Sequence, residues 1–237
     1  MNAHELAQAV VHWLAFERLC GRESLFTEAS LKSPVHQYLT AKEPFDVELE
    51  QELPGISSAM KKQTGRKKSL DFCLRRPKRK GTKGKGVLVD VMESKLVNTK
   101  RHFAQEVLND LFRLRWLKPR KQTEPCDRWL LLAGLNSDVK AQVLRKGSTK
   151  KKPATETALY GVLHREQDRL WTVDVRNATK TQRARWAKAG KQLLQKNVPS
   201  KFKTKLAAVF PPPQSADEHD FTCMIWRVIK PISKKRH

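Results

Sequence analysis

Glu93 and Lys95 stand two residues apart near the end of an apolar run, Val87-Leu-Val-Asp-Val-Met-Glu-Ser-Lys-Leu-Val97. In an extended strand, residues two apart share a face. This carboxylate and ammonium therefore project together where a buried strand runs out into solvent. Asp71 lies in the preceding alternation, Ser69 to Arg75, which predicts a strand with Leu70, Phe72 and Leu74 on one face and Asp71, Cys73 and Arg75 on the other. An antiparallel hairpin of the two strands brings Asp71 beside Glu93. Carboxylates that close repel, and a divalent cation that prefers hard oxygen ligands, Mg²⁺ or Mn²⁺, relieves the repulsion. Such a cation can polarise a phosphodiester. A lysine beside it can orient or deprotonate the attacking water and offset negative charge developing on the phosphate.

Several elements must position these groups. Apolar spacing predicts a helix over Ala3–Cys20, stopped by Gly21. A second helix is expected from Thr27 through Leu31 and Val35 to Leu39, with Pro34 a point of interruption. Phe45–Leu53 alternates as a half-buried strand, and Pro77–Gly86 forms the hairpin loop. The run from Val87 is apolar on both faces in its first half, as a covered central strand is. By parity Val87, Val89 and Val91 share the face of Glu93 and Lys95, while Leu88, Asp90, Met92, Ser94 and Leu96 take the other. His102–Leu117 reads as a helix in which Asp110 and Arg113, three apart, stabilise their own turn. Trp129–Ala133 reads as a short buried strand stopped by Gly134. Further on, Ala158–Leu163 and Leu170–Val175 are expected to pair as strands, Thr181–Gln195 to form a basic helix, and Phe221–Ile229 a last strand. The order is that of an α/β protein. The expected division is an N-terminal helix (1–20), a core (21–150) and C-terminal strands with the basic helix (151–237), which complete the same domain or form a small nucleic-acid-binding extension.

The 237 residues carry 48 Lys+Arg against 24 Asp+Glu, a formal net charge of +24, which points to a polyanionic partner. The charge is clustered. Residues 61–85 hold twelve basic side chains and one acid, Asp71, and residues 176–205 hold ten and no acid. Lys67, Lys68, Arg75, Arg76, Lys78, Arg79, Lys80, Lys83 and Lys85, with Arg183, Arg185, Lys188 and Lys191, are the expected contacts to a nucleic-acid backbone, DNA ahead of RNA. Asp71 thus sits inside the densest basic run. The four cysteines and seven histidines show no zinc-ligand spacing, and no Gly-x-x-x-x-Gly-Lys-Ser/Thr loop occurs. The scattered thiols, the lack of a basic leader at the N-terminus and the lack of a long apolar run are expected of a cytoplasmic protein without a membrane partner.

An Asp on one strand, a hairpin, an apolar strand closing in Glu-x-Lys and then a helix resembles the PD-(D/E)XK nuclease superfamily. The motif here reads Asp71, then Glu93-Ser94-Lys95, and the likeness covers about residues 20–135. It implies a restriction-endonuclease-like core, a mixed central sheet flanked by helices. It also implies a Mg²⁺- or Mn²⁺-dependent endonuclease that hydrolyses DNA, with host defence or genome processing as its setting. Asp71, Glu93 and the Ser94 backbone carbonyl would hold the metal, and Lys95 would position water. Members often add a Glu from the first core helix; Glu28 is the candidate and Glu17 its rival. A homodimer or a protein partner fits the double-strand cutters of the group. The alternative is a non-catalytic nucleic-acid-binding protein that retains the scaffold.

Overall fold

A computed structural model of the chain describes residues 1–42, 44–51, 69–77, 86–98, 103–117, 125–144, 159, 162–174, 184 and 201–229. Helix α1 (Ala3–Leu19) starts where the Asn2 side chain accepts from the His4 and Glu5 amides, and it ends at Gly21, whose φ of 72° suits a residue without Cβ. Two 3₁₀ turns (Glu23–Leu25 and Glu28–Leu31) lead into α2 (Lys32–Lys42). The helix expected from Thr27 therefore opens as a 3₁₀ turn boxed by Thr27 and Ser30. Pro34 falls in the first α-turn, where its missing N–H costs nothing.

Then come β1 (Asp46–Gln51), β2 (Leu70–Arg76) and β3 (Val87–Leu96), followed by α3 (Phe103–Trp116) and β4 (Asp127–Leu135). A short α4 (Asn136–Val139), continued by a π-helical turn (Lys140–Leu144), precedes β5 (Leu170–Asp174), β6 (Lys201–Phe210) and β7 (Phe221–Ile229). The described strands form one seven-stranded sheet in the order β1-β2-β3-β4-β7-β6-β5. Strands β1, β2 and β3 are an antiparallel meander, β4 runs parallel to β3 across the α3 crossover, and β7, β6 and β5 continue antiparallel. The protein is thus α/β, a mixed sheet flanked by helices. One face packs α3 residues Val107, Leu111 and Leu114 onto Leu130, Leu132 and Trp226. The other packs α1 and α2 residues Leu6, Val10, Leu14, Val35 and Leu39 onto Phe72, Met92, Leu131 and Ile225.

Four expectations need correction. First, the β2–β3 register steps from Leu74↔Asp90 to Arg75↔Leu88, so Val89 is an extra residue on β3. Such a bulge flips side-chain parity, and Leu88 joins Val91 in the α3-side core instead of facing away from it. Second, Gly134 does not stop β4 but lies within it. A Cβ there would stand 2.8 Å from the Val97 carbonyl oxygen and 2.9 Å from the Val97 Cβ, so the glycine lets two parallel strands close up. Third, β5 pairs with β6; of its expected partner Ala158–Leu163, the described residues 159, 162 and 163 are not in a strand. Fourth, β6 itself was hidden in the basic count of residues 176–205, although Phe202, Thr204, Leu206 and Ala208 alternate into the core. The expected basic helix Thr181–Gln195 lies almost wholly outside the described residues. Among the described residues, no helix is long and apolar enough to cross a membrane.

Candidate active site

The hairpin that the site requires is present. The register Phe72↔Met92, carried one residue further, sets Asp71 opposite Glu93. The Asp71 Oδ2 accepts from the Ser94 amide at 2.8 Å and from the Ser94 hydroxyl at 3.1 Å, which seats the strand backbone at residue 94 against that carboxylate. Glu93 and Lys95 point together toward α3, beyond the bulge, and are nearly sealed, at 2% and 7% exposure.

Ionised groups at that depth need partners, and neighbouring elements supply them. The Lys95 Nζ donates to both Glu28 oxygens, at 3.1 and 3.0 Å, from the 3₁₀ turn before α2, and lies 3.2 Å from the Asp110 Oδ2 on α3. Arg113 bonds the other Asp110 oxygen, approaches the Glu93 Oε1 to 3.2 Å and donates to the Ser69 carbonyl at 3.2 Å. On the β1 side, Lys32 bonds Glu50 and stands 3.9 Å from the Asp71 Oδ1.

Charges alternate along the chain Glu93, Arg113, Asp110, Lys95, Glu28. Burial pushes the Glu93 carboxyl well above the usual glutamate range; Arg113 pulls it back, while Asp110 and Asp71 push it further up. Burial works against the Lys95 ammonium, but Asp110 and Glu28 together outweigh it and hold the amine protonated beyond its ordinary value. Glu28 is raised by burial against the pull of Lys95. Burial pushes the Cys73 thiol up to about 12, so it is no nucleophile at neutral pH.

The structure brings Asp71, Glu93, Ser94, Lys95 and Glu28 close to one another. Glu17 stays outside, bound to Arg22 at 2.8 Å. Asp110 and Arg113 were read as a pair serving their own helix; they do pair there, and they also reach Lys95 and Glu93. Their signal was available: Phe103, Val107, Asp110, Leu114 and Leu117 follow helical spacing, so an acid occupies a core position of an apolar stripe. Lys32 and Glu50 were also missed. Of the expected nucleic-acid contacts, Arg75 is committed to Glu48 at 2.9 Å and to the Gly86 carbonyl at 3.0 Å, which makes it a brace of the sheet edge. Arg76 is exposed at the end of β2. Lys67, Lys68, Lys78, Arg79, Lys80, Lys83, Lys85, Arg183, Arg185, Lys188 and Lys191 lie outside the described residues.

Among the described residues, no three His, Cys, Asp or Glu side chains are grouped so as to hold a metal ion. Three other observations bear on whether a divalent cation fits. The Glu93 Oε1 is buried without a hydrogen-bond partner. Asp71 and Glu93 form a pair of hard oxygen donors. The five carboxylates Glu28, Glu50, Asp71, Glu93 and Asp110 outnumber the three cations Lys32, Lys95 and Arg113, leaving a formal charge of −2. The chain matches no protein-family model, no curated protein and no solved structure.

Proposed function

We propose that this protein is a divalent-metal-dependent nuclease of the PD-(D/E)XK type, hydrolysing phosphodiester bonds of DNA on a restriction-endonuclease-like core. One observation carries the reading: Asp71 stands beside Glu93 on adjacent antiparallel strands, with Lys95 on the same face. The succession of helix, three-stranded meander, crossover helix and parallel strand supports it.

Asp71 and Glu93, with the Ser94 backbone carbonyl, would hold Mg²⁺ or Mn²⁺. The chemistry such an ion supplies is polarisation of a phosphoryl oxygen and stabilisation of the leaving oxygen. Ser94 fixes the Asp71 carboxylate through two hydrogen bonds, so that ligand is oriented before any ion arrives. Glu28 and Asp110 hold Lys95 as an ammonium. Its role is therefore to orient a water and to offset negative charge on the phosphate, not to remove the proton. The basic excess holds the nucleic-acid backbone nearby.

The test is cleavage of plasmid, linear duplex, single-stranded DNA and RNA, each with and without Mg²⁺. Glu93→Ala or Lys95→Ala should abolish metal-dependent cleavage while salt-sensitive DNA binding persists; undiminished cleavage by both purified variants rules this site out. The ties that already bind Lys95 and Arg113 to acids favour a second reading, a non-catalytic nucleic-acid-binding protein on the same scaffold. Steeply salt-dependent binding without cleavage in Mg²⁺ or Mn²⁺ would establish it.

A further inference from the structure

Each carboxylate assigned to the metal is approached by a basic side chain, and each of those is bonded to a second acid that stands outside the metal pair. At Asp71 the cation is Lys32, bonded to Glu50. At Glu93 it is Arg113, bonded to Asp110 and anchored again on the Ser69 carbonyl. The two arrangements are built differently: Lys32 of α2 reaches Glu50 of β1 across the chain, whereas Arg113 and Asp110 are neighbours three apart on α3.

The contacts to the metal carboxylates are the looser member of each pair. The Lys32 Nζ is 3.9 Å from the Asp71 Oδ1, and Arg113 meets the Glu93 Oε1 as an ion pair without hydrogen-bond alignment. The grip on Glu50 and Asp110 is direct. Glu50 is placed for it at some cost: its φ of 49° puts a non-glycine residue in the left-handed region inside β1, level with Asp71 between the paired positions Leu49↔Phe72 and Gln51↔Leu70. Strain of this sort persists only where the surroundings demand it.

We infer that Lys32 and Arg113 are internal counter-cations, held by Glu50 and Asp110 within reach of Asp71 and Glu93, and that a divalent cation entering the site must displace their charge from those two carboxylates. This inference rests on the metal site proposed above. The device keeps two adjacent carboxylates, one of them sealed from water, from facing each other uncompensated. It also makes Lys32 and Arg113 direct competitors of the metal.

The experiment is calorimetric titration of Mn²⁺ into the metal-stripped full chain without nucleic acid, a readout independent of cleavage. Lys32→Gln and Arg113→Gln should each bind Mn²⁺ at least about tenfold more tightly than the parent, the lower end of what removing one unit charge a few ångströms from a divalent ion is worth. Glu50→Gln and Asp110→Asn, which remove the resting place of each cation, should bind it more weakly. Weaker binding by Lys32→Gln and Arg113→Gln would overturn the inference, because the two cations would then be positioning the ligands instead of competing for them. Should Arg113→Gln fail to fold, the partly exposed Lys32 decides alone. No Mn²⁺ binding by the parent or any variant would overturn the metal site itself, and this inference with it.

Discussion

Replacing Glu93 by glutamine keeps the side chain's shape and removes one charge from a buried cluster in which acids outnumber bases. The Glu93 Oε1 has no hydrogen-bond partner, and burial is the main reason its carboxyl resists ionisation. Burying the ionised carboxylate costs more than burying a neutral amide, although glutamine keeps one acceptor oxygen and adds an NH₂ that needs partners. Against that stands the loss of the Arg113 contact at 3.2 Å, but Arg113 keeps Asp110 and the Ser69 carbonyl. The balance is a metal-free Glu93→Gln protein more stable than its parent by about 1 kcal/mol at pH 8, roughly 2–4 °C in melting temperature for a chain of this size.

The sign with pH follows from linkage. A folded-state pKa raised above the ordinary 4.5 means that the folded chain holds a proton the unfolded chain has already released. Stability is therefore full below about pH 4.5 and is lost as pH climbs through the folded value. In chelator the parent should thus fall toward alkaline pH while the variant stays flatter, and the two should converge near pH 5. Mg²⁺ should invert the order at pH 8, since a ligand at about a hundred times its dissociation constant adds roughly 2.7 kcal/mol to the parent alone. Thermal melts of both proteins at pH 5 and pH 8, in chelator and in Mg²⁺, measure all of this. A variant less stable than the parent in chelator at pH 8 refutes the picture of Glu93 as an under-compensated charge.

Gly134→Ala should destabilise the protein by about 1–3 kcal/mol, because the new methyl meets the Val97 backbone and Cβ with no room to yield; a thermal melt reads it, and an unchanged midpoint would mean that β3 and β4 separate freely. Duplex DNA affinity should fall with salt at a log–log slope of about −4 or steeper, the mark of several phosphate contacts; a slope near zero in filter-binding or anisotropy titrations would remove the polyanion reading.

The meander was legible because alternation in Leu70–Leu74 and the two-sided apolarity of β3 are local consequences of a strand covered on both faces. Asp71, Glu93 and Lys95 could be placed together for the same reason: a period of two, plus one hairpin, fixes their positions. The Val89 bulge was not legible. It changes pairing by one residue through contacts between strands and leaves no mark on composition. Nor was the pairing of β5, whose partner lies about thirty residues further along the chain.

Residue order alone settled which strands carry the acids and the net charge of +24 from which a polyanionic partner is proposed, since periodicity and net charge are properties of neighbours and of sums. Only the folded chain decided who compensates whom. Asp110 and Arg113 arrive on a helix laid over the sheet, Glu28 from a 3₁₀ turn sixty-seven residues before Lys95, and Lys32 and Glu50 from two further elements. Electrostatic partnership depends on distance through space and on burial, and both are set by packing.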